Sequence, residues 1–213
     1  MPLLREGIYF RTEDYTYEVE ATYQLGYYIL SALVSIDCIL EPIDNMLIKF
    51  QNEVQYYRYY VDSLFYYLGL INDRFRYKES KGDNELKQEK SNKVALNRKN
   101  YKFTESAFSI LSNKRPRNII EHLDERNVKT ILENSGVGGF NVLFEDSDLE
   151  MVNSIKENRN LYPCVLDLPN HRMLFYDIQA KPNDATQFEI DILKLQDELN
   201  KLGKNVNDFG HLI

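Results

Sequence analysis

From about residue 12 to 40, apolar side chains recur every three to five positions, through Val19, Tyr23, Tyr27, Leu30, Val34 and Ile39. That spacing lays a stripe along one face of a helix. Glu41-Pro42 ends the pattern, because the residue before a proline is pushed out of helical geometry. A second long helix is expected from about 44 to 76, with a broader stripe of Ile48, Val54, Tyr57, Val61, Leu64, Phe65, Leu68 and Ile71. The run Tyr56, Tyr57, Tyr59, Tyr60, Tyr66 and Tyr67 has the chemistry of a base-stacking platform, but at helical spacing such a run is expected to pack in the core and against partner helices.

A polar segment follows from Lys78 to Asn92, and helical pattern resumes through Val94, Leu96, Phe103, Phe108 and Leu111 with a break expected near Asn100. Ser112-Asn113 supply caps, and Pro116 is tolerated only in a first turn, so a new helix is expected from about Lys114 to Asn134. The tract Gly136-Val137-Gly138-Gly139 stops it; lacking the Gly-Lys-Ser/Thr of a phosphate-binding loop, it reads as a helix end and linker. Beyond it the periods shorten. A strand is expected over 140–146, a short helix over Ser147 to Asn158, and a hairpin turning at Pro169 to His171. A last amphipathic helix is expected from Asp184 to Leu202, carrying Phe188, Ile192, Leu193, Leu195 and Leu199. The fold class is therefore mainly α, a helical bundle over residues 1–135 with a small C-terminal α+β appendage over 136–213.

At 213 residues the chain is long enough to bury a sizeable core. Its opening residues lack a basic region followed by an apolar stretch, so no secretory signal is expected, and no apolar run is expected to reach the ~20 residues of a membrane span, so no membrane partner is expected. Cys38 and Cys164 stand far apart without metal-type spacing and are expected as buried thiols in a reducing cytoplasm. No metal and no cofactor is expected, since His, Cys, Asp and Glu show no convincing ligand spacing. The net charge of −7 argues at first against nucleic acid, but the distribution is uneven. Residues 1–73 carry 4 basic and 11 acidic groups, 74–129 carry 15 and 8, and 130–213 carry 7 and 14. Screening limits the reach of each charge to about 8–10 Å at physiological salt, so a +7 middle can attract phosphate between two acidic flanks. For 74–93, a solvated charged face is the plainer expectation.

The candidate chemistry lies in Arg115-Pro116-Arg117-Asn118-Ile119-Ile120-Glu121-His122. On a helical wheel Ile119, Ile120, Leu123, Val128, Ile131 and Leu132 occupy one half, whereas Asn118, His122, Glu125, Arg126 and Lys129 gather on the other. His122 is thus off the apolar face, and Arg117 stands at the boundary, where it can equally well pair with Glu121 one turn on. A guanidinium, an amide and an imidazole at one place can cleave RNA without a metal. The imidazole moves protons near neutrality and the guanidinium holds phosphate oxygens. One helix offers one histidine; a two-fold axis would offer two. His171 and His211 are expected as exposed loop residues.

Arg117-Asn118-x-x-x-His122, with Glu121 before the histidine and Asp124-Glu125-Arg126 after it, resembles the motif of HEPN domains (higher eukaryotes and prokaryotes nucleotide-binding). The resemblance covers about 10 to 15 residues on a helical background. It implies a helical bundle that dimerises with the motif at the interface, and a metal-independent ribonuclease of toxin–antitoxin or phage-defence systems. Arg117 and His122 would be catalytic and Asn118 their polar support, with Lys114, Arg115, Arg126 and Lys129 beside the motif to bind RNA. An antitoxin or other regulatory protein is a further expected partner. A subgroup silenced by nucleotidyl transfer has tyrosine two residues after the histidine; Asp124 stands there, so the resemblance does not extend to that route. Two other readings stay open: a non-catalytic HEPN-like module binding RNA, nucleotide or a protein partner, and a helical interaction protein in which the motif is coincidental.

Overall fold

A computed structural model describes residues 17–42, 53–76, 84–121, 140–145, 164–176 and 187–211. Within them lie helices α1 (Tyr17–Leu40), α2 (Glu53–Phe75), α3 (Asn84–Asn100), α4 (Arg115–Glu121) and α5 (Ile192–Gly210), and strands β1 (Phe140–Leu143), β2 (Cys164–Asp167), β3 (Arg172–Tyr176) and β4 (Gln187–Asp191). The expected class holds: a mainly helical chain with a small sheet near its C-terminal end. The expected short helix over Ser147 to Asn158 and the glycine tract at 136–139 lie outside the described residues.

α1 packs on α2 and on α5, and the core runs through Leu25, Ile29 and Ile36 of α1, Val61, Leu64 and Leu68 of α2, and Leu195, Leu199 and Leu202 of α5. Leu166 of β2 and Phe175 of β3 belong to the same cluster, so the sheet is built onto the helical core. The face expected to be buried on α1 is corrected in part: Val19 and Ile39 are buried as expected and Leu30 is half-buried. Tyr23, Tyr27 and Val34 are 60%, 53% and 46% exposed, while the buried side carries Ala21, Thr22, Leu25, Ile29, Ala32 and Ile36. Small residues there let the helices approach closely; Gly203 of α5 comes so near that a Cβ would stand 3.5 Å from Ile29. Residues Glu18–Leu40 are long and apolar enough to cross a membrane, and here one side of that helix is core. On α2 the expected stripe is buried from Tyr57 to Ile71, with Ile48 outside the described residues. The tyrosine run divides: Tyr56, Tyr57 and Tyr60 are in the core, Tyr59 and Tyr66 are exposed, and Tyr67 is half-buried.

Helix α3 begins at Asn84, inside the segment expected to be merely polar. Its exposed turns are laced by i,i+4 pairs, Glu89 with Lys93 at 2.6 Å and Gln88 with Asn92 at 3.1 Å, which support a helix without an apolar face. Its end is fastened to α2, where the last-turn carbonyls of Arg74 and Phe75 accept from Asn97 Nδ2 at 2.9 Å and Arg98 Nε at 2.7 Å. Helix-end carbonyls need such partners. The expected break at Asn100 is present, but 101–113 is a series of turns and not a resumed helix. What orders it is aromatic packing. Phe103 lies between Phe75 and Phe108 with ring centroids 4.1 and 4.8 Å apart.

The sheet runs β1-β2-β3-β4, with β1 parallel to β2 and the other pairs antiparallel. The expected hairpin is β2–β3, with Asp167 opposite Arg172. The buried Asp167 carboxylate accepts from Asn170 Nδ2 at 3.0 Å and Arg172 Nε at 2.8 Å, and His171 takes a left-handed φ of 47° at the tip. The expected helix start at Asp184 is corrected: 187–191 is a strand in which Ile190 is buried and Glu189 exposed. Asp191 then caps α5 by accepting from Lys194 N at 3.0 Å, and the helix continues to Gly210 rather than Leu202.

Candidate functional site

The turns of 101–113 deliver the chain to α4 at a fixed place. Glu198 of α5 accepts from Ser109 Oγ at 3.2 Å, from Ile110 N at 3.1 Å and from Leu111 N at 2.9 Å. Ser112 O accepts from Arg76, the residue that follows α2. Asn113 Oδ1 then accepts from Arg115 N at 3.1 Å and Lys114 O from Asn118 N at 3.1 Å, so the side chain of Asn113 and the carbonyl of Lys114 together open the helix, as helix starts require. Pro116 stands in the first turn as expected and is buried.

The wheel reading of α4 holds over its described part: Ile119 is 1% exposed, Ile120 half-buried and Asn118 exposed. His122, Arg126 and Lys129 lie outside the described residues, as does the side chain of Glu121. Of the expected catalytic set, the structure therefore describes Arg117 and Asn118 side by side on α4.

Arg117 meets a partner that local spacing does not suggest. Its Nη1 donates to Gly69 O and to Asp73 Oδ1 of α2, each at 3.3 Å, and its side chain is 21% exposed. The guanidinium lies so flat against α2 that a Cβ on Gly69 would come within 2.6 Å of Nε and 2.7 Å of Cζ. Glycine inside a helix costs about 0.5–1 kcal/mol relative to alanine; here its missing side chain is the space the guanidinium occupies. Gly69 and Asp73 went unnoticed in sequence. Their only signal was a glycine inside the apolar run from Leu64 to Ile71, four residues before an aspartate.

Arg117 also lines a small pocket with Phe65, Leu68 and Asn72 of α2, Leu111, Pro116 and Ile190 of β4. Asn72 is 5% exposed, and its Oδ1 has no hydrogen-bond donor among the described residues. A buried acceptor of this kind is normally met by a donor such as water.

The residues expected to bind RNA are placed as follows. Lys114 is half-buried. The Arg115 guanidinium sits over the Phe188 ring at 5.1 Å, and Phe188 in turn stacks on Phe175 at 5.1 Å. The motif helix is thus pinned to the sheet by a cation–π contact of about 0.5–1 kcal/mol. Other arginines of the basic middle are also engaged: Arg74 reaches Gln24 and Arg98 reaches Glu105.

Cys38 and Cys164 are both buried thiols, and burial pushes the Cys164 thiol well above its ordinary value. Among the described residues no three His, Cys, Asp or Glu side chains converge as a metal site. Expected as loop residues, His171 and His211 are both exposed. No family model, curated protein or solved structure matches the chain.

Proposed function

We propose that this chain is a metal-independent endoribonuclease of HEPN type, acting as a dimer in the cytoplasm as a toxin or phage-defence effector. The observation that supports the reading is a part-exposed Arg117 followed by an exposed Asn118 on α4, with His122 next in sequence after its last described residue. Cleavage then proceeds by attack of a ribose 2′-oxygen on the adjacent phosphorus. His122 takes the 2′-hydroxyl proton, Arg117 holds the phosphate oxygens as their charge grows, and Asn118 supports that contact. The P–O5′ bond breaks, the 5′-oxygen takes a proton from the second imidazole across the two-fold axis, and a 2′,3′-cyclic phosphate remains. Lys114, Arg115, Arg126 and Lys129 attract the strand, and an antitoxin-like protein would act by covering the same face.

The test is cleavage of single-stranded RNA in EDTA, followed by identification of the end left behind. His122→Ala and Arg117→Ala are each expected to lower the rate by about 10²-fold or more. Arg117→Ala is also expected to cost about 1 kcal/mol of stability, because a part-exposed ion pair and a long hydrogen bond are lost. Cleavage that needs a divalent metal, or that survives both substitutions, overturns the reading.

One observation favours the second reading, a non-catalytic HEPN-like module binding RNA, nucleotide or a protein partner: Arg117 and Arg115 both hold structural contacts. RNA binding that depends on these residues, without any cleavage, would decide for it.

A further inference from the structure

We propose that Gly69 and Asp73 of α2 are positioning residues that set the Arg117 guanidinium for its phosphate, an inference that rests on the ribonuclease reading above. Three features carry it. Gly69 leaves a slot occupied by three consecutive side-chain atoms of Arg117: a Cβ there would meet Nε at 2.6 Å, Cζ at 2.7 Å and Cδ at 3.2 Å. The first two are closer than real Cβ contacts, so with any larger residue at 69 something must shift, and the flexible side chain of Arg117 is the part that yields most easily. Next, a single nitrogen, Nη1, is held at two points, by Gly69 O and Asp73 Oδ1. Residues 69 and 73 are one helical turn apart, so α2 brings the Gly69 carbonyl and the Asp73 side chain to the same face, beside the guanidinium. Finally, Leu68 and Pro116 line the small pocket beside the same side chain, so the surface next to the guanidinium is largely apolar and offers it few competing acceptors.

A rigid helix therefore presents the cation, and rigid presentation is what a developing phosphorane charge requires. Asp73 has a second, opposing effect. Its carboxylate lies beside the guanidinium and repels an incoming phosphate, so it weakens binding while it improves aim. The two effects separate in kinetics, and a merely structural tie would not separate them.

The experiment compares wild type, Gly69→Ala, Asp73→Asn, Asp73→Glu and Arg117→Ala in the full chain, with EDTA present, measuring kcat and KM on single-stranded RNA and thermal stability in parallel. Asp73→Asn is expected to lower kcat about tenfold while KM stays level or falls, and Asp73→Glu to recover most of kcat. Gly69→Ala is expected to lower kcat about 10–100-fold, the effect of misplacing a catalytic group by about 1 Å. If Arg117→Ala is inactive but Gly69→Ala and Asp73→Asn both cleave within twofold of wild type, the positioning role is overturned and the ribonuclease reading stands. If kcat and KM in Asp73→Asn merely track lost stability, positioning is likewise overturned. Where wild type does not cleave, or Arg117→Ala cleaves like wild type, the ribonuclease reading falls and takes the positioning role with it.

Discussion

Glu198 is the joint through which the last helix holds the segment leading to the motif, and its removal should cost more than any exposed carboxylate can. Oε1 accepts from Ser109 Oγ, both oxygens accept from Ile110 N, and Oε2 accepts from Leu111 N. Leu111 is 1% exposed, so in Glu198→Ala its N–H loses a charge-assisted bond and gains little water in exchange. Leaving a buried donor unmet costs about 1–3 kcal/mol, and the half-buried Ile110 N–H adds a smaller amount. A total of about 2–4 kcal/mol follows for alanine, and about half of that for Glu198→Gln, which keeps one acceptor oxygen but no charge. For a chain of this size that corresponds to a fall in Tm of about 4–16 °C for alanine. Urea denaturation measures it as a lower midpoint at unchanged slope, with Asp197→Ala, one residue away and exposed, as the control expected within about 0.5 kcal/mol of wild type. If Glu198→Ala stays within that same margin, Glu198 does not anchor the segment, and the account of how α4 is placed fails with it.

Burial pushes the Tyr60 phenol up to about 12, helped by its hydrogen bond with Cys38 and by the neighbouring Tyr56 and Tyr59. The neutral phenol is favoured in the fold, so its contribution is complete below the ordinary value near 10 and is lost as pH rises from about 10 to about 12; denaturation midpoints across that window should fall less steeply in Tyr60→Phe. RNA affinity should fall steeply with salt, at about −0.7 in log–log slope per phosphate neutralised on a single strand. Replacing Lys114, Arg115, Arg126 and Lys129 by alanine should flatten that slope, and an unchanged slope would show the basic middle to be only a solvated face.

Patterns carried by neighbouring residues were legible in sequence, and those set by distant partners were not. Pro42 marked the end of α1, Pro116 the start of α4, and the turn residues Pro169 to His171 the hairpin. The α1 stripe was misplaced because tyrosine rings counted as apolar, while the true contact face uses Ala21, Thr22 and Ala32, whose small size matters more than their hydrophobicity. β4 was hidden because Phe188 and Ile190 fall in a run that also fits a helix joined to Ile192 and Leu195; Asp191, the cap, was the one local sign of the switch. At the site, Arg117 could be chosen from its motif, but the sequence offered Glu121 as its partner. Asp73, 44 residues upstream, becomes its neighbour only once α2 and α4 pack.

That neighbour bears on which reading of Arg117 is stronger. An ion pair with side chains 21% and 43% exposed contributes about 0–1 kcal/mol, and a 3.3 Å bond to a helix carbonyl adds no more than about 1. Against this stands about 0.5–1 kcal/mol for glycine in a helix interior, the ion-pair figure being already net of the rotamer freedom the arginine loses. The balance is close to zero. Stability alone therefore gives no reason for a guanidinium laid on a bare stretch of α2, whereas a cation that must be aimed gives one. Gly69→Ala is the substitution in which the two accounts part: if Arg117 only ties the helices, any ribonuclease activity is kept, and if the guanidinium must be aimed, that activity falls far.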